Sequence, residues 1–261
     1  MPKALGMVGC HLLEDEMVHV LDHDKDARVI FLVSNGVSDT IEHKLRSLQP
    51  ERDLHLVSEE NVADLIIDQE GTVILWQKPI ELHLLPQELR DDVVSSLRLI
   101  EPLCGAIMVF YGLCGNAFRN FETVVQCVHV PVCSLTDHRG EMVDDCIGTA
   151  MGGTEEYLHL LRSHPGSFYL TPMWASNWRR FFHDIRVIED EKNLDGAKYV
   201  FQFMGYKDTF KLKTGLGDGE SFDRNVLEFG SCFDLRVGEI NCTTTVAERS
   251  YLRAKELMAG K

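Results

Sequence analysis

No Cys-x-x-Cys pair occurs in this chain of 261 residues, although it holds eight cysteines. A zinc ribbon built from paired knuckles and a thioredoxin-type redox pair are therefore both excluded, and any metal site must collect its ligands from distant parts of the chain. No apolar run approaches the roughly 20 residues of a membrane-spanning helix. Basic residues are scarce: 26 Lys+Arg face 41 Asp+Glu, a formal net charge of −15. Such a field repels phosphate backbones and anionic lipid surfaces, and no Lys/Arg cluster runs against it. Neither nucleic acid nor a membrane is expected as a partner. The Gly-x-Ser-x-Gly elbow, the His-Glu-x-x-His helix and the Walker phosphate loop are missing as well, so hydrolase and kinase readings lose their support.

What is present is ordinary for a folded chain, with 44% apolar and 26% charged residues. The length fits one large α/β unit, 1–261, or two closely packed lobes, 1–164 and 165–261, divided at the turn His164-Pro165-Gly166. The apolar stretch that opens the chain meets charge by Glu14, too soon for a secretory signal, and a cytoplasmic location is expected. In that reducing compartment cysteines serve packing, metals or chemistry rather than disulfides.

Short apolar runs alternate with amphipathic stretches, the pattern of βα units. Strands are expected over 4–9, 29–33, 73–76, 106–111, 128–132, 167–170, 198–203 and 237–240. A helix after Pro86 carries one apolar stripe of Leu89, Val93, Val94, Leu97 and Ile100. Thr154 is expected to cap another helix, and Thr245 with Glu248 to form a capping box on the last. The run Ala106-Ile107-Met108-Val109-Phe110-Tyr111 is almost wholly apolar, as a strand buried on both faces requires. The expected fold class is thus α/β, a Rossmann-like, mostly parallel sheet with flanking helices. In such sheets ligands gather beyond the carboxyl ends of the strands, and function is sought in the loops there.

Cys10 and Cys114 fall at two such strand ends, flanked by Gly9, Gly112 and Gly115, which let the backbone turn sharply and approach a ligand. Cys146 follows Asp144-Asp145 in another loop, and His83 lies between a strand and a helix. Three thiolates and an imidazole could complete a Cys₃His zinc site, and three thiolates alone could hold a 4Fe-4S iron–sulfur cluster with one iron open to substrate. The competing reading is that all are packed, since free cysteine behaves as a small hydrophobe. Cys104, Cys127, Cys133, Cys232 and Cys242 are read that way. If Asn116-Ala117-Phe118 begins a helix, its amides favour a thiolate at Cys114. Residues 165–174 read as turn, strand and stop and are expected to form a wall of the same pocket, delivering Met173 and Trp174 to it alongside Asn116 and Asp145. Gly215-Leu216-Gly217-Asp218-Gly219 is a turn rather than a phosphate loop, because Asp218 and Glu220 stand where an anion would sit.

Three blocks carry a resemblance. They are Leu82-His83-Leu84-Leu85-Pro86 with Tyr111-Gly112-Leu113-Cys114-Gly115-Asn116; Asp145-Cys146-Ile147 with Gly153 and Tyr157; and Pro165-Gly166-Ser167-Phe168-Tyr169-Leu170-Thr171-Pro172. Over roughly 80–175 the chain resembles the domain of unknown function 1638 family of archaea and anaerobic bacteria, and Cys10 resembles that family's early strand-end cysteine. The chain departs from the family in reading Asp144-Asp145-Cys146 where His-Asp-Cys is usual, and Met173 where glycine is usual. The resemblance implies companionship with corrinoid-dependent methyltransfer systems of one-carbon metabolism. Corrinoid itself would sit on a partner, because the Asp-x-His-x-x-Gly motif that supplies its lower ligand is missing here. Two functions follow as expectations. One is a metal-dependent, methyltransferase-related enzyme acting on a small-molecule substrate; the other is a non-catalytic accessory that binds a corrinoid or a corrinoid methyltransferase partner.

Overall fold

Seven residues without a polar side chain, Ala4–Cys10, form the first strand, β1, and every one of them is buried. The computed structural model describes residues 3–48, 50–190 and 192–260. After β1 come α1 (Glu14–His23), β2 (Val29–Ser34), α2 (Asp39–Leu48), β3 (Asp53–Ser58), β4 (Thr72–Lys78), α3 (Pro86–Ile100), β5 (Cys104–Phe110), α4 (Phe121–Val125) and β6 (Val132–Ser134). The six strands pair in the order β3-β2-β4-β1-β5-β6, all parallel. Covering such a sheet on both faces requires continuous apolar strands; β1 and β5 are built that way, and β4 is apolar over 73–76 before it ends in the buried Gln77 and Lys78.

Crossovers between parallel strands are right-handed. The chain leaves β1 toward β2 in one direction and leaves β4 toward β5 in the other, so the helices after β1 and β4 cover opposite faces. The helix contacts agree: α1 packs on α2, and α3 packs on α4. Adjacent strands whose following helices part in this way open a crevice at their carboxyl ends. Here that crevice lies between Cys10 and Lys78, which face each other in the β1–β4 register. In α3, Leu89, Val93, Leu97 and Ile100 are fully buried, each burial stabilising the fold by about 1.5–3 kcal/mol.

The chain continues through α5 (Cys146–Met151) and α6 (Thr154–Ser163) into a second, three-stranded parallel sheet. Its strands are β7 (Ser167–Leu170), β8 (Asp208–Lys213) and β9 (Arg236–Asn241), with α7 (Pro172–Asp184), α8 (Asp195–Phe203) and α9 (Gly219–Phe233) around them. Trp178, Phe182, Phe201, Phe229 and Phe233 fill a separate aromatic core there. The last helix, α10 (Thr245–Met258), returns to pack on β5, β6 and α1. The protein is thus a Rossmann-like α/β fold whose main sheet is parallel. Among the described residues no helix is long and apolar enough to cross a membrane.

Several local expectations are corrected. Residues 198–203 are helical: Lys-Tyr-Val-Phe-Gln-Phe has strand propensity, but only the stripe Leu194, Ala197 and Phe201 meets the aromatic core, leaving Tyr199 and Phe203 exposed. The strand expected at 128–132 begins only at Val132, because Pro131 has no N–H to give the ladder, although its carbonyl accepts from Ile107 N at 2.9 Å. The cap of α6 is Gly153, with Thr154 the first helical residue. The cap of α10 is Thr244, whose hydroxyl donates to Glu248 Oε1 at 2.6 Å. Asp218 in the glycine-rich turn caps α9 by accepting from Glu220 N.

Candidate functional site

At the carboxyl ends of β1 and β4 the crevice widens into a cavity of about 440 Å³, closed on its far side by β7 and α7 of the second sheet. Cys10, His83, Cys114 and Cys146 all line it, together with Gly115, Asp145 and Trp174.

Cys10 ends β1, and its sulfur accepts from Leu12 N at 3.4 Å as the chain turns away. His83 sits on the short helical segment Ile80–Leu84 after β4. Its Nδ1 lies 3.1 Å from the Ile80 carbonyl, which can only accept, so Nδ1 carries the proton and Nε2 keeps its lone pair. That Nε2 faces Cys10 Sγ at 3.8 Å. Burial holds the imidazole below its usual pKa, in the neutral form.

Cys114 and Cys146 are brought together by glycine. A Cβ on Gly112 would stand 2.5 Å from the Val143 carbonyl oxygen, so only glycine lets the two strands of chain run this close. Leu113 N then donates to Val143 O and Cys114 N to Asp144 O, both at 2.8 Å. Asp145 follows as the cap of α5, its Oδ1 accepting from Ile147 N at 2.8 Å and Gly148 N at 2.9 Å, and Cys146 opens the helix. Cys114, Gly115 and Asn116 are consecutive left-handed residues, with φ of 44°, 64° and 70°. For a side chain such as cysteine this backbone is strained, and strain of this kind collects at functional sites.

All three thiols are held in the protonated form. Burial pushes Cys10 up to about 12, with Glu16 adding to the effect. Burial raises Cys114 well above the usual range, and Cys10 and Asp145 raise it further. Burial also raises Cys146, with Asp145, Cys10 and Cys114 adding to it and the Trp174 indole N–H acting the other way. The expected helix after Cys114 does not form: the residues that follow are turns, and the next helix begins at Phe121. No aligned amides therefore stabilise a thiolate there, and desolvation prevails. Asp145 is itself pushed up to about 6 by burial, against the two N–H bonds it accepts.

The opposite wall is aromatic: Tyr157 from α6, Phe168 and Tyr169 from β7, Trp174 from α7, and Tyr206. Thr171 caps α7 by accepting from Trp174 N at 3.3 Å, and Pro172 fixes the first turn, which sets the indole over the cavity. Gly112 and Asn116 support the loop without lining the cavity. Met173 is buried away from it, with Lys44 Nζ 3.3 Å from its sulfur. Cys104, Cys127, Cys133, Cys232 and Cys242 lie outside. The sequence marked Tyr157 and the 165–174 segment that holds Tyr169 through the family blocks; Tyr206 was missed, and the only signal that could have found it is the run of aromatics over 199–210.

Among the described residues no group of three or more His, Cys, Asp or Glu side chains is placed to hold a metal ion as it stands. The chemistry of the donor set nevertheless suits a soft metal, and the Cys10–His83 separation of 3.8 Å is close to the ~3.6 Å edge of a tetrahedral zinc site.

Fold and pocket together define a two-sheet α/β protein with a thiol-lined cavity between its sheets. The chain belongs to the family described as Protein of unknown function (DUF1638), whose model matches residues 78–251. That span includes His83, Cys114, Cys146 and the aromatic wall, while Cys10 lies before it. No curated protein and no solved structure matches the chain.

Proposed function

We propose that this chain is a metal-dependent protein of methyl or one-carbon transfer, in which Cys10, His83, Cys114 and Cys146 hold zinc at the floor of the pocket. The observation that carries the reading is the convergence of three thiols and a neutral imidazole, from four separate segments, on one cavity. Zinc is favoured over a 4Fe-4S cluster because three thiols alone would serve the cluster, leaving the Cys10–His83 approach without a purpose. When bound, the zinc would supply Lewis acidity: a substrate thiol that takes the place of one of the four protein ligands would have its pKa lowered and so become a methyl acceptor.

The chain's own residues do the rest. Cys10, Cys114 and Cys146 give up their protons on ligation, and His83 enters without a proton change, already oriented by Ile80. Trp174 and its aromatic neighbours position a small substrate and keep water from the floor. Elemental analysis and an absorption spectrum of protein purified with and without oxygen test this. Stoichiometric zinc in a colourless protein is the expected result; folded, metal-free protein from both preparations would remove the reading.

A second reading, a non-catalytic accessory that docks a corrinoid protein or its methyltransferase, is favoured by one surface. On α8, Tyr199 and Phe203 stack at 6.1 Å while remaining 67% and 77% exposed, three residues from Tyr206 at the pocket. Pull-down from native extract with wild type and with Phe203→Ser separates the two, since an enzyme acting alone needs no such partner.

A further inference from the structure

We infer that the aromatic wall of this pocket recognises a small methylated ammonium ion, a tertiary or quaternary amine. The inference rests on reading the pocket as a small-ligand site, though not on the identity or presence of the metal.

The rings that line the cavity meet edge to face in two groups, Tyr157 with Tyr169, and Phe168 with Trp174 and Tyr206. Tyr157 and Tyr169 have centroids 6.3 Å apart at 86°, Phe168 and Trp174 5.9 Å apart at 87°, and Phe168 and Tyr206 6.0 Å apart at 73°. Phe168 and Tyr169 leave β7 on opposite faces, so each anchors one group; one face of Phe168 is stacked on Phe229 and one of Tyr169 on Phe210, and rings set edge to face turn their faces in different directions. The faces of aromatic rings carry negative potential and attract a cation. No lysine or arginine lines the cavity, and its one carboxylate is Asp145. Both backbone hydrogen bonds to that carboxylate go to Oδ1, as the cap of α5, and the residue lines the cavity.

Charge and hydration then select among ligands. An anion meets Asp145, no compensating cation, and a chain of net charge −15. A primary ammonium or a guanidinium is the more strongly hydrated cation and loses more of its hydration on entering a lining that is mainly aromatic and aliphatic. A methylated ammonium spreads its charge over methyl groups, sheds little hydration, and presents those methyls to the rings. A cavity of about 440 Å³ holds such an ion with room to spare. The thiol floor would then lie against a methyl group, the group that the proposed function transfers.

The test is titration calorimetry with tetramethylammonium, choline, glycine betaine and 3,3-dimethylbutan-1-ol, the neutral carbon counterpart of choline. Each is added to protein as purified and to Cys114→Ser protein. Choline and tetramethylammonium are expected to bind at least about tenfold more tightly than the neutral alcohol. Betaine is expected to bind more weakly than choline, because its carboxylate meets Asp145. Trp174→Ala should weaken choline binding by about tenfold or more. Trp174→Phe should retain most of it and serves if the alanine variant does not fold. Asp145→Asn, which keeps the helix cap, should weaken the cations and not the alcohol. Equal affinity for choline and the alcohol, or no saturable cation binding by folded protein, would overturn the inference. Choline binding that survives in Cys114→Ser protein separates this result from the fate of the metal proposal.

Discussion

Cys10 and His83 lie 73 positions apart in the chain, yet Cys10 Sγ stands 3.8 Å from His83 Nε2. Parallel pairing of β1 with β4 puts the two strand ends side by side, and each chain leaves the sheet at that point in a short helical turn. The imidazole is tethered through its other nitrogen to the Ile80 carbonyl, so the lone pair facing the sulfur is fixed by the backbone rather than by a flexible side chain.

Zinc uptake should release protons. Because burial keeps Cys10, Cys114 and Cys146 protonated and His83 neutral, binding at all four should free about three protons per zinc at pH 7. Titration of metal-free protein in weakly buffered solution with a pH indicator measures this. Release of one proton or none would mean that the thiols are not the ligands.

Gly112→Ala should be destabilising by about 1–3 kcal/mol, because the new methyl stands 2.5 Å from Val143 O and must push the 143–146 segment away. The same displacement parts Cys114 from Cys146. Urea denaturation reads the first effect and zinc affinity the second. Unchanged stability would show that the loop pair tolerates separation.

Stability should depend on Glu16. Burial, aided by Asp15, pushes its carboxyl from 4.5 up to about 8. Below 4.5 the folded and unfolded chains both hold this proton. Between 4.5 and about 8 only the folded chain does, so stability falls as pH rises, by up to ~1.4 kcal/mol per pH unit from this group. Glu16→Gln, shaped like the protonated acid, should flatten that slope and raise the urea midpoint at pH 8. A variant with the wild-type slope would assign the pH dependence to other groups.

Cys232→Ser and Cys242→Ser should leave metal content unchanged, since Cys232 packs beside Arg179 and Cys242 beside Met151, both away from the cavity. Cys114→Ser should lower zinc affinity by at least about a hundredfold while far-UV circular dichroism stays native. A Cys114→Ser protein with full zinc content would detach the site from that residue.

Much of the frame was legible in the sequence because buried parallel strands leave a plain trace. Residues 106–111 and the apolar run ending at Cys10 need no alternation to be read, and the stripe after Pro86 has helical period. What escaped depended on tertiary context. The edge strand β3 and the charged strand β8 have weak patterns of their own, and α8 carries strand-forming residues that only its aromatic core holds as a helix. At the site, strand-end placement marked Cys10 and Cys114, and Cys146 was marked by its loop and family block. Their protonation could not be read, because it follows from burial. Nor could the roles of Tyr157 and Tyr206, which reach the cavity only once the second sheet is folded against the first.

The central claim is that four side chains of this pocket form one soft-metal centre, and X-ray absorption spectroscopy at the zinc edge tests it most directly. Zinc-loaded wild-type protein should show a first shell of three sulfurs and one imidazole nitrogen, with one sulfur fewer in Cys114→Ser. A shell of oxygen and nitrogen alone, or a wild-type shell that the substitution leaves unchanged, would contradict it.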